Sequence, residues 1–283
     1  MAKAAGSLDL PRSTVSKLVQ DLEAHLGSKL LSRSTRATTL TSEGREYLEK
    51  ARGLIDRLDE MDAEVSGRAL SPSGRLRVDI GSSLANLILL PNLPDFLAKY
   101  PDMEIVLGVA DRAVDLIGEG VDCVIRGGAL TDSSLVARRL GELKYVTCAA
   151  PSYLDRTGVP ATPEELEDAH HACGYFSAST GAAFPLRFKR GSEPVEVRPR
   201  RRLSVNESTA HMTALLAGTG IGQTFEFVAR PYLRDGQLVE ILHDLQPEPH
   251  PLYLVYPSNR HQGAKLRTFA DWAISTFEHV LRS

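Results

Sequence analysis

The sequence lacks the features of several large protein classes. Its 283 residues include only three cysteines, Cys123, Cys148 and Cys173, an odd number that argues against a disulfide framework and indicates buried or free thiols. No apolar run approaches the roughly 20 residues that a helix needs to cross a bilayer, and the N-terminal residues lack the apolar core of a signal peptide. These absences predict a cytoplasmic protein with no membrane partner.

Motifs for catalysis and metal binding are also missing. The chain has no G-x-S-x-G, H-E-x-x-H or phosphate-loop sequence, so we expect no enzyme activity, no cofactor and no bound metal. His170, His171 and Cys173 are metal-ligand types, but no second ligand pair lies at a suitable spacing, and a structural loop is favoured. Residues 218–222 match part of a dinucleotide fingerprint, but they follow a helix and precede a strand, the wrong order for a phosphate loop.

Charge is distributed unevenly along the chain. Residues 1–45 hold seven cations and four anions, a net charge of +3, whereas the whole chain carries −3. The remaining residues therefore carry −6. A basic segment on an acidic body is typical of a chain that contacts phosphate at one end only.

The basic segment reads as a helix followed by a hairpin. Pro11 suits a helix's first turn, apolar residues recur at spacings of three and four from Val15 to Leu26, and Gly27 suits a left-handed cap. Residues 29–31 and 39–41 are predicted strands around a basic tip. An ordinary surface helix is the alternative, but the ordered features favour a winged helix-turn-helix over residues 1–41.

The polar residues of this segment are suited to phosphate oxygens and base edges. The candidate DNA-binding residues are Arg12, Ser13, Thr14, Ser16, Lys17 and Gln20 on the helix, and Arg33, Ser34, Thr35 and Arg36 at the hairpin tip.

Residues 42–66 predict a long helix, with Ser42 as its cap. The apolar residues Tyr47, Ala51, Leu54, Leu58, Met61 and Val65 alternate at spacings of four and three. This 3.5-residue period is typical of a coiled coil, and a helix packed on its own domain is the alternative. The pattern predicts a homodimer through residues 42–66. Residues 67–74 have the composition of a hinge.

Strands alternate with helices over residues 75–283, which predicts an α/β domain with a mostly parallel sheet. The predicted elements include a helix at 113–117, strands at 143–149, 195–202 and 222–227, and a last helix at 263–281. The order resembles two βα lobes of the periplasmic-binding-protein (type 2) fold. The first lobe is predicted over residues 75–150 and 251–283, and the second over residues 151–250.

The N-terminal segment resembles the DNA-binding domain of LysR-type transcriptional regulators. The matching residues are Ala4-Ala5, Leu8, Val15-Ser16, Leu22-Glu23, Leu26-Gly27, Leu30-Leu31, Arg33, Thr35-Arg36, Leu40-Thr41 and Gly44. The family has one more helix before this pattern, and the sequence has no room for it. The resemblance implies a regulator that binds an interrupted inverted repeat of double-stranded DNA, dimerises through its linker helix, pairs further into tetramers and senses a small molecule. The alternative is a small-molecule-binding protein of the same fold whose shortened N-terminal domain no longer binds DNA.

Four polar segments are expected to converge on a cleft between the lobes, because ligands of open α/β sheets lie beyond the carboxyl ends of the strands. The candidate effector-binding residues are Ser82, Ser83, Arg126, Gly127, Asn206, Thr224 and Phe225. Each assignment has an alternative. Ser82 and Asn206 could serve only as helix caps, and Arg126 could pair with Asp122 or a surface acid. Because donors outnumber acceptors, we expect a small anionic or oxygen-rich effector; Glu207 argues for the opposite charge.

Overall fold

The computed structural model describes residues 5–6, 8–33, 38–65, 72–112, 114–116, 118–128, 135–258 and 263–282. The chain divides into two units, Met1–Ser66 and Gly67–Ser258 with Gln262–Ser283. The hinge predicted at residues 67–74 lies largely outside the described residues.

The first unit contains the predicted helix and a hairpin, whose first strand begins two residues later than predicted. Its elements are α1 (Arg12–Leu26), β1 (Leu31–Arg33), β2 (Thr38–Leu40) and α2 (Ser42–Val65). The strands are antiparallel, with Leu31 opposite Leu40. Gly27 ends α1 in the left-handed conformation with φ 64°, which a glycine adopts without steric cost.

Glu23 joins α1 to the hairpin from inside the unit. Its side chain is 6% exposed and accepts hydrogen bonds from the backbone N–H groups of Leu30 (2.9 Å) and Leu31 (3.0 Å). Lys29 adds an ion pair of 2.7 Å. The hydrogen bond from Lys29 and then the Leu31 amide lower the pKa of Glu23 to about 2, so the carboxylate stays charged at neutral pH.

The start of α2 packs directly on the hairpin. Thr41, rather than the predicted Ser42, caps this helix: its hydroxyl accepts from the Gly44 N–H (2.9 Å) and donates to the Lys29 carbonyl (2.6 Å). A Cβ at Gly44 would lie closer than 3.0 Å to the backbone of Leu30. Glycine is therefore required at residue 44 for close backbone approach.

The first lobe of the second unit is built on a five-stranded sheet. The elements of this lobe are β3 (Gly74–Ile80), α3 (Ser82–Leu84), a π-helical turn (Ala85–Leu89), α4 (Leu90–Lys99), β4 (Met103–Val109), β5 (Cys123–Gly127), β6 (Leu135–Leu143), β14 (His250–Pro257) and α9 (Ala264–Arg282). The strands lie in the order β4-β3-β5-β14-β6. Strand β3 is parallel to β4 and β5, but β14 is antiparallel to β5 and β6. The predicted mostly parallel sheet is therefore mixed.

The second lobe lies between β6 and β14 in the sequence. Its elements are β7 (Tyr145–Ala149), α5 (Pro151–Thr157), α6 (Glu165–Ala169), β8 (His171–Tyr175), β9 (Leu186–Arg190), β10 (Glu193–Val197), β11 (Arg200–Val205), α7 (Ser208–Leu216), β12 (Gly222–Phe225), α8 (Glu226–Arg234), β13 (Val239–Glu240) and a 3₁₀ turn (His243–Leu245). Because β7 pairs with β12 and β13, the chain enters this lobe at Lys144. The predicted boundary at residue 150 is thus too late.

Four predicted elements of the second unit differ from the structure. The described residues within 113–117 form no helix. The strand predicted at 143–149 begins at Tyr145, since Leu143 ends β6, and the strand predicted at 195–202 is two strands interrupted at Pro199, which has no N–H to donate. The strand predicted at 222–227 ends at Phe225, where α8 begins.

The glycines of residues 218–222 have structural explanations. Gly218 has φ +70°, and a Cβ at Gly220 would lie closer than 3.0 Å to the His171 carbonyl. They allow a turn and a close approach of β12 to β8. These glycines therefore have a packing role in the second lobe, which agrees with their position between a helix and a strand.

The three cysteines are buried and form no disulfide, as predicted. Burial raises the pKa of Cys148 to about 12. No helix within the described ranges is long and apolar enough to cross a membrane.

Candidate functional site

One face of α1 presents polar side chains to solvent. Ser13, Ser16, Lys17 and Gln20 fall within about 100° on a helix of 3.6 residues per turn. Ser13, Lys17 and Gln20 are exposed, and Ser16 is half-buried. Short hydroxyls, an amide and an ammonium on one face are suited to phosphates and major-groove base edges.

Two further helix residues named from the sequence flank this face. Arg12 is exposed and Thr14 is half-buried. Arg33 is the last residue of β1, and its side chain lies outside the described part of the chain, as do Ser34, Thr35 and Arg36. Their predicted contacts with DNA remain predictions.

The linker helix α2 exposes apolar side chains. Leu54 and Leu58, both in the predicted coiled-coil seam, are 61% and 58% exposed, and Ile55 is 58% exposed. Tyr47 and Ala51 are half-buried. Large apolar side chains exposed together on one helix are typical of a protein–protein contact surface.

A cavity of about 350 Å³ lies between the two lobes of the second unit. Both lobes contribute to its walls. The residues that line it are Gly81, Ser83, Leu84, Asp111, Ile125, Arg126, Gly127, Leu143, Tyr145, Cys173, Tyr175, Phe184, Pro185, Leu186, Arg187, Ser208, His211, Gln223, Thr224, Phe225 and His250. Apolar and aromatic side chains with a few polar groups are the usual lining of a small-molecule site.

Asp111 lines the cavity, and its carboxylate accepts hydrogen bonds from both lobes. Oδ1 accepts from the Ser82 N–H (2.7 Å), and Oδ2 accepts from the Ser208 N–H (2.7 Å) and the Tyr175 hydroxyl (3.0 Å). The Ser83 N–H donates to the Ser208 hydroxyl oxygen at 3.0 Å. We call these five residues the Asp111 cluster. Burial and then the Asp111 charge raise the pKa of Tyr175, so its hydroxyl remains a donor.

Arg126 supplies positive charge to the cavity wall. Its Nη2 donates to Asp79 Oδ1 at 2.6 Å, and the two side chains are 25% and 8% exposed. This partner differs from the Asp122 or surface acid considered from the sequence. Burial raises the pKa of Asp79, against the lowering effect of Arg126.

Three rings form a wall of the cavity. The centroids of Tyr145 and Phe225 are 5.0 Å apart, and the His250 ring stacks near Phe225 at 5.9 Å. Burial lowers the pKa of His250, which favours a neutral imidazole. A Cβ at Gly127 would lie closer than 3.0 Å to the His250 ring, so glycine at residue 127 makes room for this wall.

His211 is a buried polar side chain of the same cavity. Its Nε2 lies 3.0 Å from the Cys173 carbonyl oxygen, and since a carbonyl only accepts, this nitrogen carries the proton. Burial lowers the pKa of His211. His211 thus faces the cavity as a neutral ring.

The structure brings most of the predicted effector residues together. Ser83, Arg126, Gly127, Thr224 and Phe225 line the cavity, whereas Ser82 and Asn206 do not.

Ser82 and Glu207 have other partners. The backbone N–H of Ser82 binds Asp111, and its side chain is hydrogen-bonded to Glu207. Glu207 caps α7 by accepting from the Thr209 and Ala210 N–H groups. The hydrogen bonds from Ser82 and Thr209 lower the pKa of Glu207 to about 2, against the effect of burial.

Apart from Arg126, sequence reasoning missed the charged and histidine residues of this lining: Asp111, Arg187, His211 and His250. Asp111 follows the parallel strand β4, so the rule that placed Arg126 at a strand end also applied to it. Arg187 and His250 lie on strands without a comparable signal.

A helix and hairpin with a polar exposed face, together with a two-lobed α/β domain around a cavity, define a DNA-binding regulator that responds to a small molecule. Residues 1–45 match the family model for bacterial regulatory helix-turn-helix proteins of the lysR family, and residues 69–278 match the LysR substrate binding domain. The chain belongs to the LysR family of transcriptional regulators. The helix-turn-helix match favours the regulator over the binding protein without DNA affinity.

Similar proteins cover almost the whole chain. The uncharacterized HTH-type transcriptional regulator YhjC of Escherichia coli (strain K12) is 39% identical over 282 residues, which are 99% of this chain and 93% of that protein. An HTH-type transcriptional repressor of Pseudomonas aeruginosa is 36% identical, over 97% of this chain and 86% of that protein. The structure of CrgA, a LysR-type regulator from Neisseria meningitidis, matches 97% of this chain and 92% of its own, with 29% identity and a TM-score of 0.65.

Proposed function

We propose that two subunits pair through α2 and present two α1 helices to the halves of an interrupted inverted repeat. The exposed Leu54 and Leu58 support the pairing, since a coiled-coil seam buries such residues against a second helix. The exposed Lys17 and Gln20 support the use of α1 as the reading helix. Dimers pair further into tetramers, and the regulator acts on DNA in the cytoplasm.

The effector in this proposal is a small anionic or oxygen-rich molecule bound in the cavity between the lobes. The observation that carries it is Arg126, which lines the cavity and makes one hydrogen bond to another described residue, Asp79. A guanidinium has five N–H donors, and the hydrogen bond to Asp79 uses one of them. The ring wall of Tyr145, Phe225 and His250 offers a stacking surface beside it.

The cavity in this proposal binds its ligand without converting it. The relatives are transcriptional regulators, and the effector's binding energy is used to change the lobes rather than to lower a chemical barrier.

Calorimetry with benzoate and benzylamine tests the effector class. We expect benzoate to bind the full-length protein and benzylamine not to bind. Arg126→Ala should weaken benzoate binding roughly 10- to 100-fold, because a hydrogen bond between charged groups contributes about 1.5–3 kcal/mol. Arg75→Ala, which removes an exposed arginine paired with Glu104, is the matched control.

Two results would contradict the proposal: binding of the amine in preference to the acid, or equal benzoate affinity in the wild type and Arg126→Ala.

A further inference from the structure

The carboxylate of Asp111 connects the two lobes through its own hydrogen bonds. It accepts the Ser82 N–H from the first lobe and the Ser208 N–H and Tyr175 hydroxyl from the second, all within 3.0 Å. Ser82 begins the helical run that continues to Lys99, and Ser208 begins the nine-residue helix α7. The first amides of two helices, one from each lobe, therefore donate to the same carboxylate, which is a side chain of the protein itself.

This arrangement changes where an acidic ligand group can bind. The first amides of a helix favour an anion because they are unpaired and lie at the positive end of the helix dipole. At Ser82 and Ser208 that demand is already met by Asp111. A ligand carboxylate placed there would have to displace a covalently tethered carboxylate with three partners, whose local concentration is far higher than that of any free solute.

We propose that Asp111 is an internal anion that holds the two lobes together and directs the effector's acidic group to the guanidinium of Arg126 rather than to the helix starts at Ser82 and Ser208. The second half of this statement rests on the proposed function, whereas the first half does not. Asp111 also lines the cavity, so its charge repels a second acidic group in the ligand, and like charges repel strongly where water is excluded. The cavity therefore selects monocarboxylates over dicarboxylates.

Chemical rescue tests the internal anion directly. Asp111→Ala removes the carboxylate and leaves a space facing two backbone N–H groups and the Tyr175 hydroxyl. In the full-length protein we expect Asp111→Ala to lower the midpoint of thermal unfolding by roughly 5–10 °C, because a lower free energy of unfolding reduces the midpoint by a few degrees per kcal/mol in a domain of this size. Sodium formate should restore most of this loss when compared with sodium chloride at equal ionic strength. Asp95→Ala, at an exposed aspartate of α4, should show neither the fall nor the formate response.

Asp111→Asn provides a second variant that preserves volume. One of its two side-chain oxygens becomes an NH₂ group that faces N–H donors, so we expect faster hydrogen exchange at the amides of Ser82 and Ser208 than in the wild type. Two results would overturn the role assigned to Asp111: unchanged hydrogen exchange at both amides in Asp111→Asn, or a thermal midpoint of Asp111→Ala that does not respond to formate.

Ligand selectivity tests the second half of the proposal. We expect benzoate to bind the wild type and isophthalate to bind Asp111→Ala at least tenfold more tightly than the wild type. Equal isophthalate affinity in both proteins would overturn the selectivity assigned to Asp111. If neither acid binds either protein, the proposed effector class and the direction of the acidic group both fail, while the formate response still decides whether Asp111 holds the lobes together.

Discussion

At the scale of single residues, the carboxylates of Glu23 and Asp111 each join two elements by accepting backbone amides. Glu23 accepts two amides of the hairpin in the first unit, and Asp111 accepts two helix-start amides in the second. Glu23 belongs to the family pattern in the sequence, but its buried role was not predicted. Such contacts join residues of different elements, so the periodicity within one helix or strand does not reveal them.

Glu23→Gln should loosen the hairpin, because the charged acceptor of the Leu30 and Leu31 amides is lost. The pKa of Glu23 falls from the ordinary 4.5 to about 2 on folding, so its stabilising effect is complete above pH 4.5 and is lost as the pH falls toward 2. Hydrogen exchange at Leu30 and Leu31 should therefore be faster in Glu23→Gln near pH 6, and the difference should shrink toward pH 2. Glu46→Gln, at an exposed ion pair of α2, is the control. A difference that does not change with pH would contradict this account.

Gly44→Ala should destabilise the first unit by about 1–3 kcal/mol, the usual cost of forcing extra volume into a packed site. Its Cβ would overlap the backbone of Leu30, which cannot move aside as a flexible side chain can. Gly6→Ala is a matched control, since nothing lies within 4 Å of a Cβ there. Thermal unfolding of both variants measures the effect, and equal midpoints would show that α2 and the hairpin shift apart easily.

At the scale of elements, long periodic helices were predicted more accurately than short elements. The predicted helices at 42–66 and 263–281 correspond to α2 and α9, each of 19 or more residues, because several turns of one apolar stripe give a strong signal. The first two residues of α8, Glu226 and Phe227, were predicted to end a strand, since they continue the alternation of β12. Strand β7 was assigned to the first lobe, whereas it pairs with β12 and β13 of the second lobe. These partner strands are distant in the sequence, so the local pattern of β7 does not reveal them.

The polar face of α1 predicts two different effects on DNA binding. Gln20→Ala should cost about 1–3 kcal/mol at one operator position, as expected for a lost base contact. Lys17→Ala should weaken binding to all sequences and reduce its salt dependence, as expected for a lost phosphate contact. Electrophoretic mobility shift over a range of salt concentrations separates the two, with Lys99→Ala in the second unit as control. Unchanged affinity in both variants would exclude α1 from the groove.

The exposed seam of α2 predicts an effect on dimerisation. Leu58→Lys should raise the dimer dissociation constant roughly 10- to 100-fold, because a charge at an apolar seam position costs a few kcal/mol and each 1.4 kcal/mol is tenfold. Lys50→Ala, at an exposed polar position of the same helix, should leave it unchanged. Analytical ultracentrifugation gives both constants, and a dimer insensitive to Leu58→Lys would place the interface elsewhere.

At the scale of the whole molecule, the family and the two-unit organisation followed from the sequence because many independent residues agree. The cavity was also expected between the lobes, but the carboxylate of Asp111 within it was not. Ser82 was expected to contact the effector, whereas its backbone N–H binds Asp111. A sequence shows which groups can bind an anion but not whether the chain itself supplies one.

The position of β14 has a consequence for how the nascent chain acquires its structure. Strand β14 lies between β5 and β6 in the first lobe, and α9 adds Phe269 and Phe277 to the core of that lobe. The second lobe is encoded between them, so its strands β7 to β13 have all left the ribosome before the first lobe can close its sheet. The lobe that begins first during synthesis therefore finishes last, and until then β5 and β6 lack the neighbour that joins them.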